Sequence, residues 1–309
     1  MGKKANKNSI NSSKENINNT GSENIKTSGA LYLVATPIGN LEDMTFRAIR
    51  ILKEADIIAA EDTRNSLKLL NHFEIKTPMT SYHEFNRYEK AEVLIEKLES
   101  GQNIALITDA GTPGISDPGE VLVSMCIENG ITVVPVPGAV AGINALIASG
   151  QATRRFAFEA FLPQDKKEMR CILDQLKIEQ RTIILYEAPH RLIKTLELLK
   201  EELGERRSIT ICKELTKKHE NYFKTTLGEA AAMYKDGGAE PRGEYVLVIE
   251  GKTQEELEEE KKVLWENLTI EQHLQKYIEE GLSKKEAVKK VASERNIPKQ
   301  EVYKVSIDL

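Results

Sequence analysis

The chain has few cysteines and no long hydrophobic run. Its three cysteines lie far apart in 309 residues and form no metal-ligand spacing. Cys126 and Cys212 sit in apolar runs, which is typical of core thiols in a reducing compartment. No apolar run approaches the ~18 residues that a membrane span needs, and the polar start of the chain lacks the apolar centre of a signal peptide. These absences predict a cytoplasmic protein that spans no membrane.

Common cofactor and metal motifs are also absent. The sequence has no G-x-G-x-x-G, Walker or G-x-S-x-G motif, which excludes the usual dinucleotide, P-loop and serine-hydrolase sites. The five histidines form no H-x-x-x-H pair and no cluster with cysteine, so we predict no metal site. His72 and His273 have no evident partner nearby in the sequence, and we expect both at the surface.

The order of predicted strands and helices indicates two α/β domains followed by a helical one. Strands alternate with helices up to Gly150, which is typical of a parallel sheet with helices on both faces. More closely spaced strands then indicate a mixed sheet. The predicted segments are a disordered extension over 1–28, a parallel-sheet domain over 29–150, a mixed-sheet domain over 151–251, a charged helical linker over 252–268 and a three-helix domain over 269–309.

The loop Asp109–Gly119 is the strongest sign of a binding site. It holds three glycines and two prolines and follows the apolar strand Ile104–Ile107. Ligands bind outside the carboxyl ends of strands in open α/β sheets, and glycine lets a ligand approach the backbone closely. The other strand-end loops bring further polar side chains to the same edge. These candidates are Glu61, Asp62, Arg64, His83, Glu84, Asn86 and Asp109.

Six short motifs together resemble the RsmI branch of the tetrapyrrole methylase superfamily. In chain order the motifs are Thr36–Leu41, Glu61–Arg64, His83–Asn86, Asp109–Gly114, Tyr186–Arg191 and Lys213–Thr216. The match runs from about Ala30 to Gly251, and the helical tail is also similar to that branch. The resemblance implies 2′-O-methylation of a cytidine ribose in 16S rRNA of the small ribosomal subunit. It further implies S-adenosylmethionine as cofactor, bound between two α/β domains, and a homodimer.

The resemblance also assigns cofactor contacts to loops of both domains. The implied cofactor-binding residues are Pro37, Gly39, Asp109, Gly111, Thr112, Val140, Ala141, Tyr186 and Gly243. Backbone donors and acceptors in these loops are expected to hold the adenine and methionine ends. The sulfonium methyl would then face the substrate.

The chemistry calls for groups that orient a ribose hydroxyl. A 2′-hydroxyl is a weak nucleophile, so in-line positioning and an acceptor for its proton would both help. We predict Asp62 and His83 as this pair, with Arg64 and Lys213 holding nearby phosphates. The full set of predicted substrate-binding residues is Glu61, Arg64, Glu84, Asn86, Lys213 and Glu214.

Three positions depart from the pattern of that branch. Phe85 stands where a histidine is usual, Ala160 where glycine is usual, and Val140 where serine is common. Two other readings therefore stay open: a non-catalytic ribosome-associated module that keeps the fold, and methylation of a tetrapyrrole or another small molecule. The tail favours RNA, because seven Lys and Arg face four acids over 281–309 while the whole chain carries −5. An ordinary solvated helical surface is the alternative for that tail.

Overall fold

The first domain is a five-stranded parallel sheet covered by helices. The computed structural model describes residues 28–237 and 241–307, apart from the side chains of 260–264. The strand order is β3-β2-β4-β1-β5, with every pairing parallel. Its elements are β1 Ala30–Val34, α1 Phe46–Glu54, β2 Ile57–Ala60, α2 Thr63–His72, β3 Met79–Ser81, α3 Arg87–Glu99, β4 Ile104–Ile107, α4 Gly119–Glu128, β5 Thr132–Val136 and α5 Ala141–Ala148.

The central strand β4 explains why this sheet is covered on both faces. All four of its residues are buried, and they alternate between two apolar clusters. Ala105 and Ile107 pack with α1, whereas Ile104 and Leu106 pack with α3 and α4. A continuous apolar run of this kind is typical of a parallel strand buried on both sides.

The second sheet is mixed, as predicted. Its order is β6-β7-β10-β8-β9, in which only β6 and β7 pair in parallel. The elements are β6 Phe156–Ala160, α6 Lys166–Leu176, β7 Thr182–Glu187, α7 Leu192–Leu203, β8 Ser208–Lys213, β9 Asn221–Thr226, α8 Leu227–Asp236 and β10 Tyr245–Ile249. Helices α6, α7 and α8 cover one face. The two-sheet fold class is therefore confirmed.

Helix α5 of the first domain covers the other face of the second sheet. Its residues Ala145 and Leu146 share a buried cluster with Ile184, Val246 and Val248. The hydroxyl of Thr210 on β8 donates to the carbonyl of Ser149 at 2.9 Å, just beyond the helix. This packing joins the two domains and leaves a cleft at the carboxyl edge of the first sheet.

The chain ends in a small helical unit with its own core. Its helices are α9 Gln254–Glu266, α10 Ile270–Glu279, α11 Lys284–Glu294 and α12 Lys299–Ser306. The last three pack around a buried apolar cluster, and reciprocal capping bonds begin α10 and α11 at Thr269 and Ser283. Within the described residues, no helix is long and apolar enough to cross a bilayer. The predicted disordered extension, 1–28, lies outside the described residues except for Ser28.

The expectation that His273 lies at the surface is wrong. Its side chain is buried between Trp265, Glu294 and Arg295, and its Nε2 lies 3.1 Å from a Glu294 oxygen. The partners come from α9 and α11, more than seven residues away in sequence. Arg295 also donates to the carbonyls of Leu268 and Thr269. Arg295, one of the basic residues over 281–309, therefore makes contacts inside the helical unit.

Two helices begin later than the sequence predicts. Helix α5 was expected from Ala139, but that carbonyl accepts a hydrogen bond from the Thr112 hydroxyl at 3.0 Å. Helix α7 was expected from Pro189, but Ala188–Arg191 forms a separate turn closed at 3.0 Å. The first contact uses a carbonyl that a longer α5 would need. The Ala188 carbonyl instead accepts the N–H groups of both Arg191 and Leu192, so this turn leads directly into α7.

Ala160 is held in a left-handed backbone conformation at an irregularity of β6. Its φ is 52°, and the β6–β7 register shifts between Phe158 and Ala160. The left-handed region costs a residue with a Cβ about 1–2 kcal/mol, which glycine avoids. Glycine has more conformational freedom in the unfolded chain, which offsets roughly 0.5–1 kcal/mol of the stability gained by removing the Cβ.

We therefore expect Ala160→Gly to raise the free energy of unfolding by about 0.5–1 kcal/mol in urea titrations. Ala157→Gly is the matched control, because Ala157 is buried in regular strand and should lose stability when replaced. A loss of stability at Ala160 as large as that at Ala157 would contradict the strain at this position.

Candidate active site

A cleft between the two domains contains a cavity of about 410 Å³. The first domain contributes the Asp109–Thr112 loop and the start of α5 at Val140 and Ala141. The second domain contributes Tyr186–Pro189 and Glu244–Val246. Six of the nine predicted cofactor residues line this cavity. They are Asp109, Gly111, Thr112, Val140, Ala141 and Tyr186.

The Asp109–Gly119 loop is ordered by its own polar groups. The carboxylate of Asp117 accepts backbone N–H bonds from Gly114 at 2.8 Å, Ile115 at 3.1 Å and Gly119 at 2.8 Å. Thr36 and Gly111 exchange two backbone hydrogen bonds of 2.8 and 3.1 Å. Gly111 has a φ of 87°, which disfavours any residue with a Cβ. The loop is thus a preformed wall.

Tyr186 bridges the domains at the start of α5. Its hydroxyl accepts the N–H of Gly142 at 3.0 Å, and its ring packs edge-on against Phe158 and Phe161. Val140 offers no side-chain cap to α5. The tyrosine therefore takes one of the free N–H groups that a serine at position 140 would cap. Burial raises the pKa of Tyr186, so the phenol stays neutral.

A buried carboxylate that the sequence analysis missed fixes the opposite wall. Glu187 accepts hydrogen bonds from the N–H of Ala188 at 2.8 Å and from the hydroxyl of Thr195 on α7. Its Oε1 lies 3.5 Å from Nε of Arg191, whose guanidinium donates to the carbonyl of Leu162 at 2.6 Å. The network ties the ends of β6 and β7 together. Glu187 lies within the quoted Tyr186–Arg191 motif, but its partner Thr195 is one helical turn into α7.

The cavity is negatively charged and has apolar walls. Among the described residues that line it, five are acids and none is Lys, Arg or His. Ile38, Phe161 and Val246 supply apolar surface. Burial raises the pKa of Asp109, with the nearby carboxylates of Glu61 and Asp62 contributing. Such a site favours a ligand that is cationic and partly apolar.

The predicted catalytic residue Asp62 stands beside this cavity. It is the N-cap of α2, and its Oδ1 accepts the N–H of Arg64 at 2.8 Å. Its own N–H donates to Asp109 at 3.1 Å. Hydrogen bonding to the Arg64 side chain lowers the pKa of Asp62, which makes this carboxylate a weak base but a good acceptor. Glu61 lines the cavity and accepts the hydroxyl of Thr108 at 2.7 Å.

The predicted partner His83 lies at the end of β3, outside the cavity wall. The backbone N–H of His83 donates to Oδ1 of Asn86 at 2.8 Å, and Nδ2 of Asn86 lies 3.3 Å from Nε2 of the His83 ring. Because an amide NH₂ can only donate, this contact assigns the ring proton to Nδ1. Among the described residues, Nδ1 has no hydrogen-bond partner. Glu84 pairs with Arg87 at 2.8 Å on the same turn.

Three other predicted residues meet away from the cavity, around Lys217. A Cβ on Gly39 would lie 2.4 Å from Cγ of Lys217, and one on Gly243 would lie 2.6 Å from an oxygen of Glu214. Lys217 in turn bridges Glu214 at 2.9 Å and Glu244 at 2.8 Å. Gly39, Gly243 and Glu214 thus support the cavity wall at Glu244 from behind. Lys213 lies with its amine 5.7 Å from the ring centre of Tyr245, and Pro37 does not line the cavity.

Comparison with known proteins identifies the family. The family model for Tetrapyrrole (Corrin/Porphyrin) Methylases matches residues 30–231. The ribosomal RNA small subunit methyltransferase I of Bacillus subtilis is 51% identical over 275 residues, which are 89% of this chain and 93% of that protein. The enzyme of the same name from Synechocystis sp. is 50% identical over 91% of this chain and 98% of its own length.

Solved structures share the fold at low identity. Diphthine synthase gives a TM-score of 0.58 at 15% identity, over 73% of this chain and 91% of its own. Uroporphyrin-III C-methyltransferase from Thermus thermophilus, complexed with S-adenyl homocysteine, gives a TM-score of 0.50 at 21% identity. The match covers 72% of this chain and 97% of that protein. These likenesses concern the fold alone. The matched family model and the long relatives at about half identity place this chain in the tetrapyrrole methylase superfamily and, within it, in the ribosomal RNA small subunit methyltransferase I family.

Proposed function

We propose that this chain is an S-adenosylmethionine-dependent methyltransferase that 2′-O-methylates the ribose of a cytidine in 16S rRNA. The observation that carries the proposal is the identity of 50–51% to proteins named ribosomal RNA small subunit methyltransferase I over nine-tenths of the chain. The partner would be the small ribosomal subunit, and the compartment the cytoplasm.

The cavity suits the cofactor by its charge and shape. A sulfonium and an ammonium group are both cationic, and the wall offers the carboxylates of Asp109 and Glu61, with no Lys, Arg or His among its described lining residues. The carboxylate of Glu244, also in the wall, is already paired with Lys217. Apolar surface from Ile38 and Phe161 suits an adenine ring. When bound, S-adenosylmethionine supplies a methyl group activated by a positively charged sulfur.

The residues at the end of β2 and β3 would orient the ribose hydroxyl. Asp62 keeps lone pairs that can accept the hydroxyl proton. Nδ1 of His83 is buried without a partner among the described residues, so the His83 ring would have to turn to donate to the hydroxyl. Because the pKa of Asp62 is lowered, alignment of the oxygen contributes more than proton removal. Arg64, whose side chain is 89% exposed, can reach a phosphate beside the site.

The last helices would add a phosphate-binding surface. Lys284, Lys285 and Lys289 lie exposed on α11, away from the cofactor cavity. Their contribution to RNA binding would depend on salt, because each phosphate contact releases counterions. A homodimer would cover the exposed apolar side chains Ile147 on α5 and Tyr222 on the edge strand β9, which line one surface depression.

The proposal is tested by incubating the chain with undermethylated small subunits and methyl-labelled S-adenosylmethionine. Digestion of the 16S rRNA should yield label in one 2′-O-methylcytidine. Label on a base, on a protein or on no product would overturn the proposal.

Replacement of Gly111 should disrupt cofactor binding. Gly111→Val forces a β-branched residue into a φ of 87° and pushes on Ile38 and the carbonyl of Ala139, 3.3 and 3.5 Å from a Cβ. We expect affinity for S-adenosylmethionine to fall at least about tenfold by calorimetry. Gly130→Val is the control, since Gly130 has a φ of 66° and no atom within 4 Å of a Cβ. An equal loss of cofactor affinity in both variants would show that the effect of Gly111→Val does not depend on its place in the cavity wall.

Removal of the hydroxyl-orienting groups should slow the methyl-transfer step. Asparagine also caps helices well, so Asp62→Asn preserves α2 while weakening the acceptor. We expect Asp62→Asn and His83→Ala each to lower single-turnover methylation at least about tenfold, with cofactor affinity within a few-fold. The exposed His72 provides the control variant His72→Ala. Wild-type rates in the two site variants would refute this assignment.

Neutralising α11 should weaken RNA binding and its response to salt. For Lys284, Lys285 and Lys289 replaced together by alanine, the slope of log affinity against log salt should decrease by up to about two. Cofactor affinity should not change. The double variant of Lys53 and Lys76, on the amino edge of the first sheet, is the charge control. An unaltered slope in the triple variant would exclude α11 from the RNA surface.

A further inference from the structure

Phe85 presents an aromatic ring to solvent beside the candidate site. Its side chain is 97% exposed, the highest value among the exposed large apolar side chains of the described residues. Burial of apolar surface stabilises proteins, so a phenylalanine without cover gains nothing for the fold. The ring meets that of His83 edge-on, with the two ring centres 6.2 Å apart.

The backbone below this ring is fixed. Residues Glu84–Asn86 form a 3₁₀ turn. His83 and Asn86 cap it reciprocally, and the backbone N–H of His83 donates to the side-chain oxygen of Asn86. The buried Tyr82 anchors the turn by donating to the carbonyl of Pro118 at 3.0 Å. The exposed ring is therefore held out by an ordered turn, which lowers the entropy that a partner must remove on binding.

The position of the turn relates it to the cofactor cavity. β3 neighbours β2, which neighbours β4, so the ends of β3 and β4 are about 10 Å apart at ~4.8 Å per strand. β4 leads into the Asp109 loop of the cavity wall. A ribose at the mouth of the cavity would place its base, or that of its neighbour, toward Phe85.

The surroundings of the ring suit a nucleotide better than an apolar protein surface. Its sequence neighbours are Glu84 and Asn86, and Arg87 lies with its guanidinium 5.0 Å above the ring of Tyr88. Arg87 is half-buried, whereas Arg64 at the end of β2 is an exposed cation. Unpaired bases stack on exposed aromatic rings, and nearby cations neutralise their phosphates. Arg64 and Arg87 lie on the same edge of the sheet as this ring, although Arg87 is also paired with Glu84 at 2.8 Å.

We infer that Phe85 is a base-stacking residue that binds the unpaired base of the methylated nucleotide or of its immediate neighbour in the RNA. The inference rests on the proposed function and deepens it, since it says how the substrate strand is held open at the cleft. Stacking accepts any base with a planar face, so Phe85 positions the strand and does not by itself select cytidine. The histidine usual at this position in the family could stack in the same way.

The experiment compares Phe85→Ala, Phe85→Leu and Phe85→Trp in steady-state methylation of undermethylated small subunits. Loss of one stacked base should raise KM for the subunit about fivefold or more in the alanine and leucine variants, with kcat and cofactor affinity within twofold. Tryptophan should keep KM within twofold of wild type. Ile127→Ala is the control, because Ile127 is a large exposed side chain near the far end of α4.

Two outcomes would overturn the inference. One is an unchanged KM in Phe85→Ala; the other is a leucine variant as good as tryptophan, which would indicate apolar packing without stacking. A wild-type chain that methylates no subunit would instead refute the proposed function. In that case, quenching of 2-aminopurine in a short unpaired oligoribonucleotide by the wild type, lost in Phe85→Ala but kept in Phe85→Trp, still decides whether the ring stacks.

Discussion

The packing of α5 against the second sheet is the contact on which the rest of the structure depends. Gly142 and Ala145 are small, so the helix approaches β7 and β10 closely; a Cβ on Gly142 would lie 3.4 Å from both Ile184 and the Tyr186 hydroxyl. The same contact brings the N-terminus of α5 beside Tyr186. Because the two domains are joined through an apolar core, that core sets the distance between the walls of the cleft.

The two domains contribute different parts of the cleft. The first domain supplies strand-end loops that carry polar groups, and the second supplies buried networks that hold the opposite wall, such as Glu187 with Arg191. Such preorganisation matters for methyl transfer to a hydroxyl, because alignment of donor and acceptor supplies much of the rate. In the proposed function, the substrate meets the site at the open rim, where the exposed side chains of Arg64 and Phe85 lie.

The sequence predicts those features that are local. The apolar run of β4, the Gly- and Pro-rich loop after it and the capping boxes at Thr269 and Ser283 all lie within a few residues, and the fold class followed from their order. Contacts between elements that are distant in the chain could not be predicted from the sequence. His273 is buried by partners on other helices, and Gly39 meets Lys217 of the other domain. The later start of α5 has a similar cause, because the hydroxyl of the distant Thr112 takes the Ala139 carbonyl.

The central claim is that the interdomain cleft holds the methyl donor against the Asp109 loop. A crystal structure of the chain with S-adenosylhomocysteine tests it most directly. The account predicts the molecule within hydrogen-bonding or van der Waals distance of Asp109–Thr112, Val140–Ala141 and Tyr186, with its sulfur toward the rim that carries Asp62. A molecule bound outside this cleft, or with its sulfur turned away from that rim, would contradict the account.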